Sequence, residues 1–319
     1  MAATGMRRKN VASLRIGTRR SALALWQAHF VRNELLRRNP HLEVELVPIV
    51  TEGDRRLEVA LSTIGGKGLF TKELEQALLA RHIDLAVHSM KDVTTLLPDG
   101  LHVGTVLERG EARDAFVSDR YPDLGAMPPG ATVGTSSLRR RSQIRSRWPH
   151  LTVVPIRGNV ESRLARLAGA PPVDAVILAA AGLIRLGLES RITRMLTLNE
   201  SLPCVGQGAI GIEYRLHDAE VHECVSVLHH EPTALCVGAE RAMNAVLEGG
   251  CQVPIGGYAE IKDGSLRLRG LVGDPDGTEI VRAQSEGSSG RFVEIGQQVG
   301  QDLLRGGASA ILKRLADHG

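Results

Sequence analysis

Strand-like and helix-like segments alternate through the first two thirds of the chain. Short apolar runs at residues 14–17 and 175–179 are typical of buried strands, and residues 42–50 alternate between apolar and polar. Apolar positions at helical spacing predict helices between the strands, as at residues 136–148. Strands that alternate with helices indicate βαβ units and mostly parallel sheets. Because the pattern begins anew near residue 115, we expect two similar α/β domains with a cleft between them.

A different pattern follows after about residue 230. It predicts a helix over residues 233–247, hairpins at Asp263-Gly264 and Asp276-Gly277, and one last helix over residues 293–315. These elements indicate a small α+β domain. The predicted fold class is therefore α/β, with two α/β domains followed by a small C-terminal α+β domain.

The composition excludes several classes of protein. With 319 residues, 43% hydrophobic and 24% charged, it is typical of a globular protein of two or three domains. The nine aromatic residues are too few for a nucleic-acid stacking platform. No stretch approaches the roughly 18 apolar residues of a membrane span, and no apolar segment follows the charged N-terminal residues. We therefore expect a cytoplasmic protein without a nucleic-acid or membrane partner.

The four cysteines give no sign of a metal site. Cys204, Cys224, Cys236 and Cys251 form no Cys-x-x-Cys pair, and reduced thiols fit the cytoplasm. Most free cysteines are buried and inert, which is our interpretation of the first three. Cys251 differs because it follows two glycines and precedes a strand-like segment. A thiol in such a loop can act as a nucleophile or as an attachment point.

Arginine supplies all but six of the 39 Lys and Arg residues, and several arginines lie where a strand meets a helix. These junctions are residues 18–21, 135–140 and 157–163, and Arg185 follows another strand. A helix N-terminus attracts anions, and a guanidinium binds a carboxylate through two hydrogen bonds. Such junctions share the edge of the sheet where α/β proteins bind ligands. They predict a ligand with many carboxylates, and the alternative is a set of solvated surface arginines.

The segment His88-Ser89-Met90-Lys91-Asp92 follows a predicted strand and belongs at the same edge. Asp92 is a candidate general acid or base, or a stabiliser of positive charge that develops during a reaction. The alternative for Asp92 is an ion pair with a neighbouring lysine or arginine. We interpret His88 as structural.

Residues 206–211 match the G-x-G-x-x-G pattern of dinucleotide sites. That motif needs a strand before it and a helix after it. Pro203 lies just upstream, and residues 210–214 alternate like a strand, so we reject a dinucleotide site.

These motifs, in their order along the chain, resemble those of the porphobilinogen deaminase (hydroxymethylbilane synthase) family. The resemblance covers about residues 14–315 and is most specific at residues 248–256, Glu-Gly-Gly-Cys-Gln-Val-Pro-Ile-Gly. The other matching segments are residues 65–70, 86–92, 134–140, 157–159 and 205–209.

The resemblance implies three domains and a covalent cofactor. Two domains would resemble type II periplasmic binding domains, at residues 1–107 with 209–226 and at residues 113–202; the third would span residues 231–319. A dipyrromethane would be joined by a thioether to Cys251. The implied transferase joins four porphobilinogen molecules head to tail with loss of ammonia, and hydrolysis releases hydroxymethylbilane. It would be a monomer without a metal.

The resemblance also assigns the site residues by position, with Asp92 as the catalytic carboxylate. The residues that would hold the cofactor are Cys251, Lys91, Ser137, Arg139 and Arg140. The residues that would hold substrate carboxylates or cover the cleft are Arg19, Ser21, Lys67, Phe70, Arg157, Arg163 and Arg185. We expect that replacing Arg139 or Arg140 by leucine impairs function with little loss of fold.

Three residues depart from the family pattern. Thr63 stands where lysine is expected, and Thr94 and Ala22 stand where proline is expected. All three flank the motifs, so they bear on the loop near residue 63 rather than on the function.

Two alternatives account for parts of the pattern. A solute-binding protein would use the same two-domain cleft but would give Cys251 no role. A cysteine hydrolase would need a histidine that activates Cys251, and His229 and His230 are the candidates.

We predict that Cys251→Ser gives a folded protein that lacks the cofactor and is inactive, because the thioether needs the thiol sulfur. Intact mass would show no adduct, whereas serine variants of Cys204, Cys224 and Cys236 should retain it. Wild-type activity in Cys251→Ser would contradict the attachment site.

Overall fold

Three β-sheets organise the chain in a computed structural model, which describes residues 13–55, 68–249 and 253–317. The first sheet has the order β2-β1-β3-β10-β4. β1 pairs in parallel with β2 and β3, whereas β10 is antiparallel to both β3 and β4. The bounds of these strands are β1 (Ser13–Arg19), β2 (Glu43–Ile49), β3 (Leu85–Ser89), β4 (Leu101–Val106) and β10 (Ile210–Arg215).

The second sheet repeats this arrangement, with the order β7-β6-β8-β5-β9. β6 is parallel to β7 and β8, and β5 is antiparallel to β8 and β9. The bounds are β5 (Asp114–Val117), β6 (Thr132–Gly134), β7 (Thr152–Val154), β8 (Ala175–Ala179) and β9 (Arg194–Met195).

The expectation of mostly parallel sheets is wrong for half of the pairings. In each sheet the antiparallel strand, β10 or β5, occupies the fourth place. The chain enters the second sheet through β5 and returns to the first through β10, so neither strand follows a βαβ crossover that would impose a parallel direction. The predicted pair of α/β domains is confirmed, and the chain crosses between them twice.

Helices pack on both sheets, and several of them begin where a parallel strand ends. The hydroxyl of Ser21 accepts a hydrogen bond from the Ala24 N–H and so caps the helix that begins at Ala22. The side chains of Ser137 and Asn159 cap the helices that begin at Leu138 and Val160 in the same way. These helices are α1 (Ala22–Arg38), α2 (Glu52–Arg55), α3 (Lys72–Leu79), α4 (Leu138–Arg147), α5 (Val160–Leu164), α6 (Ala180–Arg185) and α7 (Ala219–Val225).

The third domain is an antiparallel sheet of three strands covered by helices, as predicted. Its hairpin turns at the predicted Asp263-Gly264. Apolar residues of α8, β12 and α9 form one buried core, among them Met243, Leu268 and Val299. The elements are α8 (Glu231–Val246), β11 (Ile255–Lys262), β12 (Ser265–Gly273), β13 (Ile280–Ser288), α9 (Phe292–Leu303) and α10 (Ser309–Asp317).

The single last helix predicted over residues 293–315 is wrong. It breaks into α9 and α10 because Gly307 has φ 109°, in the left-handed region. Only glycine enters that region without a steric cost, and it commonly ends a helix there. The break turns α10 so that Ile311 joins the core of the third domain.

A buried charge cluster joins the two chain crossings. Asp114, the first residue of β5, has 0% exposure and lies 2.8 Å from Arg139 Nη1 and 2.7 Å from Arg140 Nη2. The Ser201 hydroxyl donates to Asp114 at 2.7 Å and the Gln207 amide at 2.9 Å. Burial opposes the charge of Asp114, but the two guanidiniums outweigh it and hold the pKa of Asp114 well below its usual range.

We predict that Asp114→Asn lowers the free energy of unfolding by about 3–5 kcal/mol, because it leaves two buried guanidiniums without their counter-charge. The folded-state pKa of Asp114 lies below the value of 3.8 for the free side chain. The ionised Asp114 therefore contributes its full stabilisation of the folded state above about pH 5, and this contribution is lost progressively as the pH falls below that value. Denaturant unfolding of both proteins should show a difference that shrinks towards pH 3.

Asp119→Asn is the matched control, since Asp119 pairs with Arg191 but its side chain is 62% exposed. It should cost less than about 1 kcal/mol. An equal loss in the two variants would contradict the special role of the buried cluster.

Candidate active site between the two α/β domains

Asp92 lies beside the C-terminal ends of two parallel strands of the first sheet. It ends a turn, Met90–Asp92, that directly follows β3. Arg19 ends the neighbouring strand β1, and its Nη1 is 3.9 Å from Asp92 Oδ2. The two side chains are partly exposed, at 19% and 29%, and line one pocket together with Ser21 and Phe70. The structure thus brings together four of the residues singled out in the sequence.

Arg19 is held in place by a carboxylate that the sequence did not suggest. Its Nε and Nη2 donate to Asp54 at 3.2 and 2.5 Å, and its guanidinium lies 4.1 Å from the centre of the Phe70 ring. Burial opposes the charge of Asp54, but Arg19 and the Thr51 hydroxyl outweigh it and lower the pKa of Asp54. Since Asp54 already neutralises much of Arg19, Asp92 keeps a carboxylate oxygen for other partners.

Arg163 of the second domain is a buried cation without a carboxylate partner among the described residues. Its Nε is buried and has no hydrogen-bond acceptor there. Burial, together with repulsion from Arg140 and Arg157, lowers the pKa of Arg163 to about 10, and only Asp92 acts in the opposite direction. Arg163 is therefore electrostatically coupled to Asp92 of the other domain.

Arg185 lies in the last turn of α6 and reaches across to the first domain. Its Nη2 donates to the Gly208 carbonyl at 2.6 Å, and its guanidinium lies 5.8 Å from the centre of the Trp26 ring. Burial lowers the pKa of Arg185 to about 10. Like Arg163, it carries a desolvated charge that an anion entering the cleft would stabilise.

Arg139 and Arg140 differ from these arginines because they are paired with a carboxylate, that of Asp114. Besides Asp114, Arg139 donates to the Leu202 carbonyl at 2.7 Å, and Arg140 donates to the Ile177 carbonyl at 3.0 Å. The expectation that leucine could replace them with little loss of fold is therefore contradicted, because either change would leave Asp114 buried and undercompensated. The Nε atoms of both residues remain buried and have no acceptor among the described residues.

The loop at residues 205–209 packs against the Asp92 turn. A Cβ on Gly206 would lie only 2.8 Å from Met90 Cβ, and the φ of Gly206 is +73°, so only glycine fits there. The strand β10 follows the loop where a dinucleotide site needs a helix, which agrees with the rejection of that motif.

A second acidic residue missed in the sequence, Glu240 of α8, ties the third domain to this loop. It lies 2.6 Å from Arg109 Nη1, and it accepts hydrogen bonds from the N–H groups of Gly206 at 2.7 Å and Ala259 at 2.8 Å. Asp54, Asp114 and Glu240 are separated from their arginines by 35, 25 and 131 residues. Pairs so far apart leave no periodic signal in a sequence.

The remaining sequence-predicted residues have the following positions. Lys91 shares the turn of Asp92, and Ser137 caps α4, where its hydroxyl accepts from the Arg140 N–H. Arg157 lies between β7 and α5, close enough to Arg163 to affect its pKa. Lys67 and Cys251 lie outside the described residues.

Two further findings concern other kinds of site. Within residues 13–55, 68–249 and 253–317, no three or more His, Cys, Asp or Glu residues are grouped so that they could hold a metal ion. In the same part of the chain, no helix combines the length and the apolar character that a bilayer crossing requires.

The fold and this site define a class of protein with two α/β domains, a small third domain, and a carboxylate and several arginines at the strand ends between the first two. Residues 14–223 match the family described as "Porphobilinogen deaminase, dipyromethane cofactor binding domain", and residues 234–305 match "Porphobilinogen deaminase, C-terminal domain". The chain belongs to the porphobilinogen deaminase family. It is accordingly a transferase of tetrapyrrole biosynthesis with a dipyrromethane cofactor, which confirms the family and the cofactor predicted from the sequence.

Solved structures with a similar fold include periplasmic proteins. The VFT2 domain of BvgS from Bordetella pertussis is 15% identical, over 70% of this chain and 91% of that chain, with a TM-score of 0.41. The periplasmic aliphatic sulphonate binding protein SsuA from Escherichia coli is 16% identical, over 74% of this chain and 71% of that chain, with a TM-score of 0.39.

We predict opposite effects on stability for two neighbouring arginines. Arg163→Gln should leave the free energy of unfolding unchanged or raise it, because it removes a desolvated charge that is not paired with a carboxylate among the described residues. Arg140→Gln should lower it by about 3–5 kcal/mol, because Asp114 loses a counter-charge. Denaturant unfolding in the Cys251→Ser background would compare the two without cofactor. A large loss in Arg163→Gln would show that its guanidinium is satisfied within the protein.

Proposed function

We propose that this chain is a hydroxymethylbilane synthase, which joins four porphobilinogen molecules head to tail and releases the linear tetrapyrrole by hydrolysis. The observation that supports this most strongly is the environment of Arg163, a half-buried cation whose Nε has no acceptor among the described residues and whose lowered pKa is opposed by Asp92 of the other domain. Each porphobilinogen carries two carboxylates, so a growing chain supplies the anions that such a cleft lacks.

The residues around the cleft fit a dipyrromethane with its carboxylate side chains. Buried Nε atoms of Arg139, Arg140 and Arg163 have no acceptor within the part of the chain that the structure describes, and the Ser137 hydroxyl lies at the N-terminus of α4, which favours anions. We propose that Lys91, Ser137, Arg139 and Arg140 hold this cofactor and that Cys251 carries it. When bound, the dipyrromethane supplies the free pyrrole carbon to which the first porphobilinogen is joined.

Asp92 would stabilise the positive charge that develops on the substrate. When the aminomethyl C–N bond of porphobilinogen breaks, ammonia leaves and the pyrrole ring becomes cationic. A fixed carboxylate near the ring N–H lowers the energy of that state without reorganising. The proton displaced when the new C–C bond forms also needs an acceptor. The Asp92 carboxylate is the candidate, since its contact with Arg19, at 3.9 Å, is made by Oδ2 and leaves the other oxygen available.

The other cleft residues would bind and orient the substrate. Those that the structure describes share a hydrogen-bond donor in the side chain, except Phe70, whose ring lies against the Arg19 guanidinium. We propose this role for Arg19, Ser21, Lys67, Phe70, Arg157, Arg163 and Arg185. Binding of substrate carboxylates would relieve the desolvation of Arg163 and Arg185, so part of the binding energy comes from charges that the fold leaves uncompensated.

We also propose that the enzyme works as a monomer in the cytoplasm, with domains divided at residues 1–107 with 209–226, 113–202 and 231–319. Sedimentation of the purified protein tests the monomer directly.

The function is tested by incubating the purified protein with porphobilinogen. We expect an intact mass that exceeds the sequence mass by a dipyrromethane, one ammonia released per porphobilinogen consumed, and a linear tetrapyrrole as product. A protein without the adduct that leaves porphobilinogen unchanged would contradict the proposal.

We predict that Asp92→Asn slows ammonia release by about 10²–10³-fold, because it removes a preorganised charge. Asp92→Glu keeps the charge and should retain more activity. The measurement is single-turnover ammonia release by variants whose cofactor is verified by intact mass, with the exposed Asp99→Asn as the control. If Asn equals or exceeds Glu, the charge of Asp92 is not what matters.

A further inference from the structure

One face of helix α8 in the third domain packs against the segment that follows Asp92. Val237 shares a buried apolar cluster with Met90 and Val93. Arg241 and Asn244 follow Val237 at positions i+4 and i+7, so all three side chains lie on the same face of the helix. The turn that carries Asp92 is therefore fixed against the third domain.

Arg241 binds this segment only through main-chain carbonyls among the described residues. Its Nη1 donates to Val93 O at 3.2 Å, and its Nη2 donates to Thr94 O at 2.7 Å and to Thr95 O at 3.3 Å. Burial lowers the pKa of Arg241. A buried guanidinium that bonds three successive carbonyls fixes the path of the backbone, which the shorter, single-headed lysine could not do.

Asn244, one turn further along α8, connects the same segment to a second one. Its Nδ2 donates to the Thr95 hydroxyl at 3.0 Å and to Gly249 O at 3.2 Å. Gly249 lies two residues before Cys251 in the sequence. A single amide thus bonds both the chain that follows Asp92 and the chain that leads to Cys251.

We propose that Arg241 and Asn244 are positioning residues that hold the Asp92 turn in register with Gly249, two residues before Cys251 in the sequence. The proposal rests on the proposed function, because the register matters only if Cys251 carries the growing chain. Chemistry at Asp92 requires that the reacting ring arrive at a fixed place, and a displacement of about 1 Å can cost about 10²-fold in rate. Neither residue needs to touch the substrate.

The direct test of Arg241 is hydrogen exchange in the intact holoenzyme. Arg241→Lys should raise the exchange of the amides at residues 93–97, because the carbonyl bonds that fix this segment are lost. Single-turnover ammonia release should fall at least about tenfold, while KM for porphobilinogen stays within about twofold. Arg305→Lys, at an exposed ion pair with Asp302 in the same domain, is the matched control and should change neither quantity.

The Thr95–Asn244 bond permits a double-mutant cycle. Thr95→Val and Asn244→Ala should each slow ammonia release, and the double variant should be no slower than the slower single variant. Thr94→Val is the control, because the Thr94 hydroxyl bonds only its local neighbour Leu96 O among the described residues. If Arg241→Lys does not fold, this double-mutant cycle alone tests the positioning role.

The outcomes separate this proposal from the proposed function. Unchanged exchange at residues 93–97 in Arg241→Lys, or strictly additive effects in the cycle, would overturn the positioning role while the wild-type enzyme stays active. A wild-type protein without adduct or ammonia release would overturn the proposed function, and with it the register on which the positioning role depends.

Discussion

The buried carboxylate of Asp114 is the interaction on which the arrangement of the two α/β domains depends. It stands where the chain first enters the second sheet, and it binds Arg139, Arg140, Ser201 and Gln207. Ser201 and Gln207 belong to the return crossing, so one ionised side chain holds both crossings together. Separating these groups would expose or strand charges in a low-dielectric interior, which is strongly unfavourable. The two crossings are therefore fixed to each other at the edge of the second sheet where β8 ends.

This arrangement divides the arginines of the site into two kinds. Arg139 and Arg140 have their counter-charge within the chain, and they support the fold as well as the cleft. Arg163 and Arg185 are desolvated without a carboxylate partner among the described residues, and burial lowers the pKa of each to about 10. The desolvated charge of the second kind of arginine destabilises the folded protein, and a carboxylate bound beside it would offset that cost. Under the proposed function, part of the binding energy for a polycarboxylate would come from relieving this cost.

The third domain contributes more than a place for a cysteine. Glu240 accepts a hydrogen bond from Gly206, in the loop that packs against the Asp92 turn. Arg241 and Asn244 of the same helix bind Thr94 and Thr95, in the segment that follows Asp92. Adjacent positions on α8 thus contact both sides of the proposed catalytic turn. The departure at Thr94 falls within this contact, where its carbonyl accepts a hydrogen bond from Arg241.

The sequence by itself determined the fold class, the strand–helix junctions at residues 18–21, 135–140 and 157–163, and the family. The hydrophobic period and the residues at strand–helix junctions are local patterns of a few positions, so they can be recognised in the sequence. It did not predict that the strands β5 and β10 run antiparallel to their neighbours, and it did not predict the break in the last helix at Gly307. Only the tertiary structure decided which charges are neutralised, because Asp54, Asp114 and Glu240 meet their arginines across many residues of sequence. Arginines of the same chemistry thus differ in role only after the domains assemble. Those that meet a buried carboxylate stabilise the fold, and those that are desolvated without one among the described residues are candidates to bind an anion.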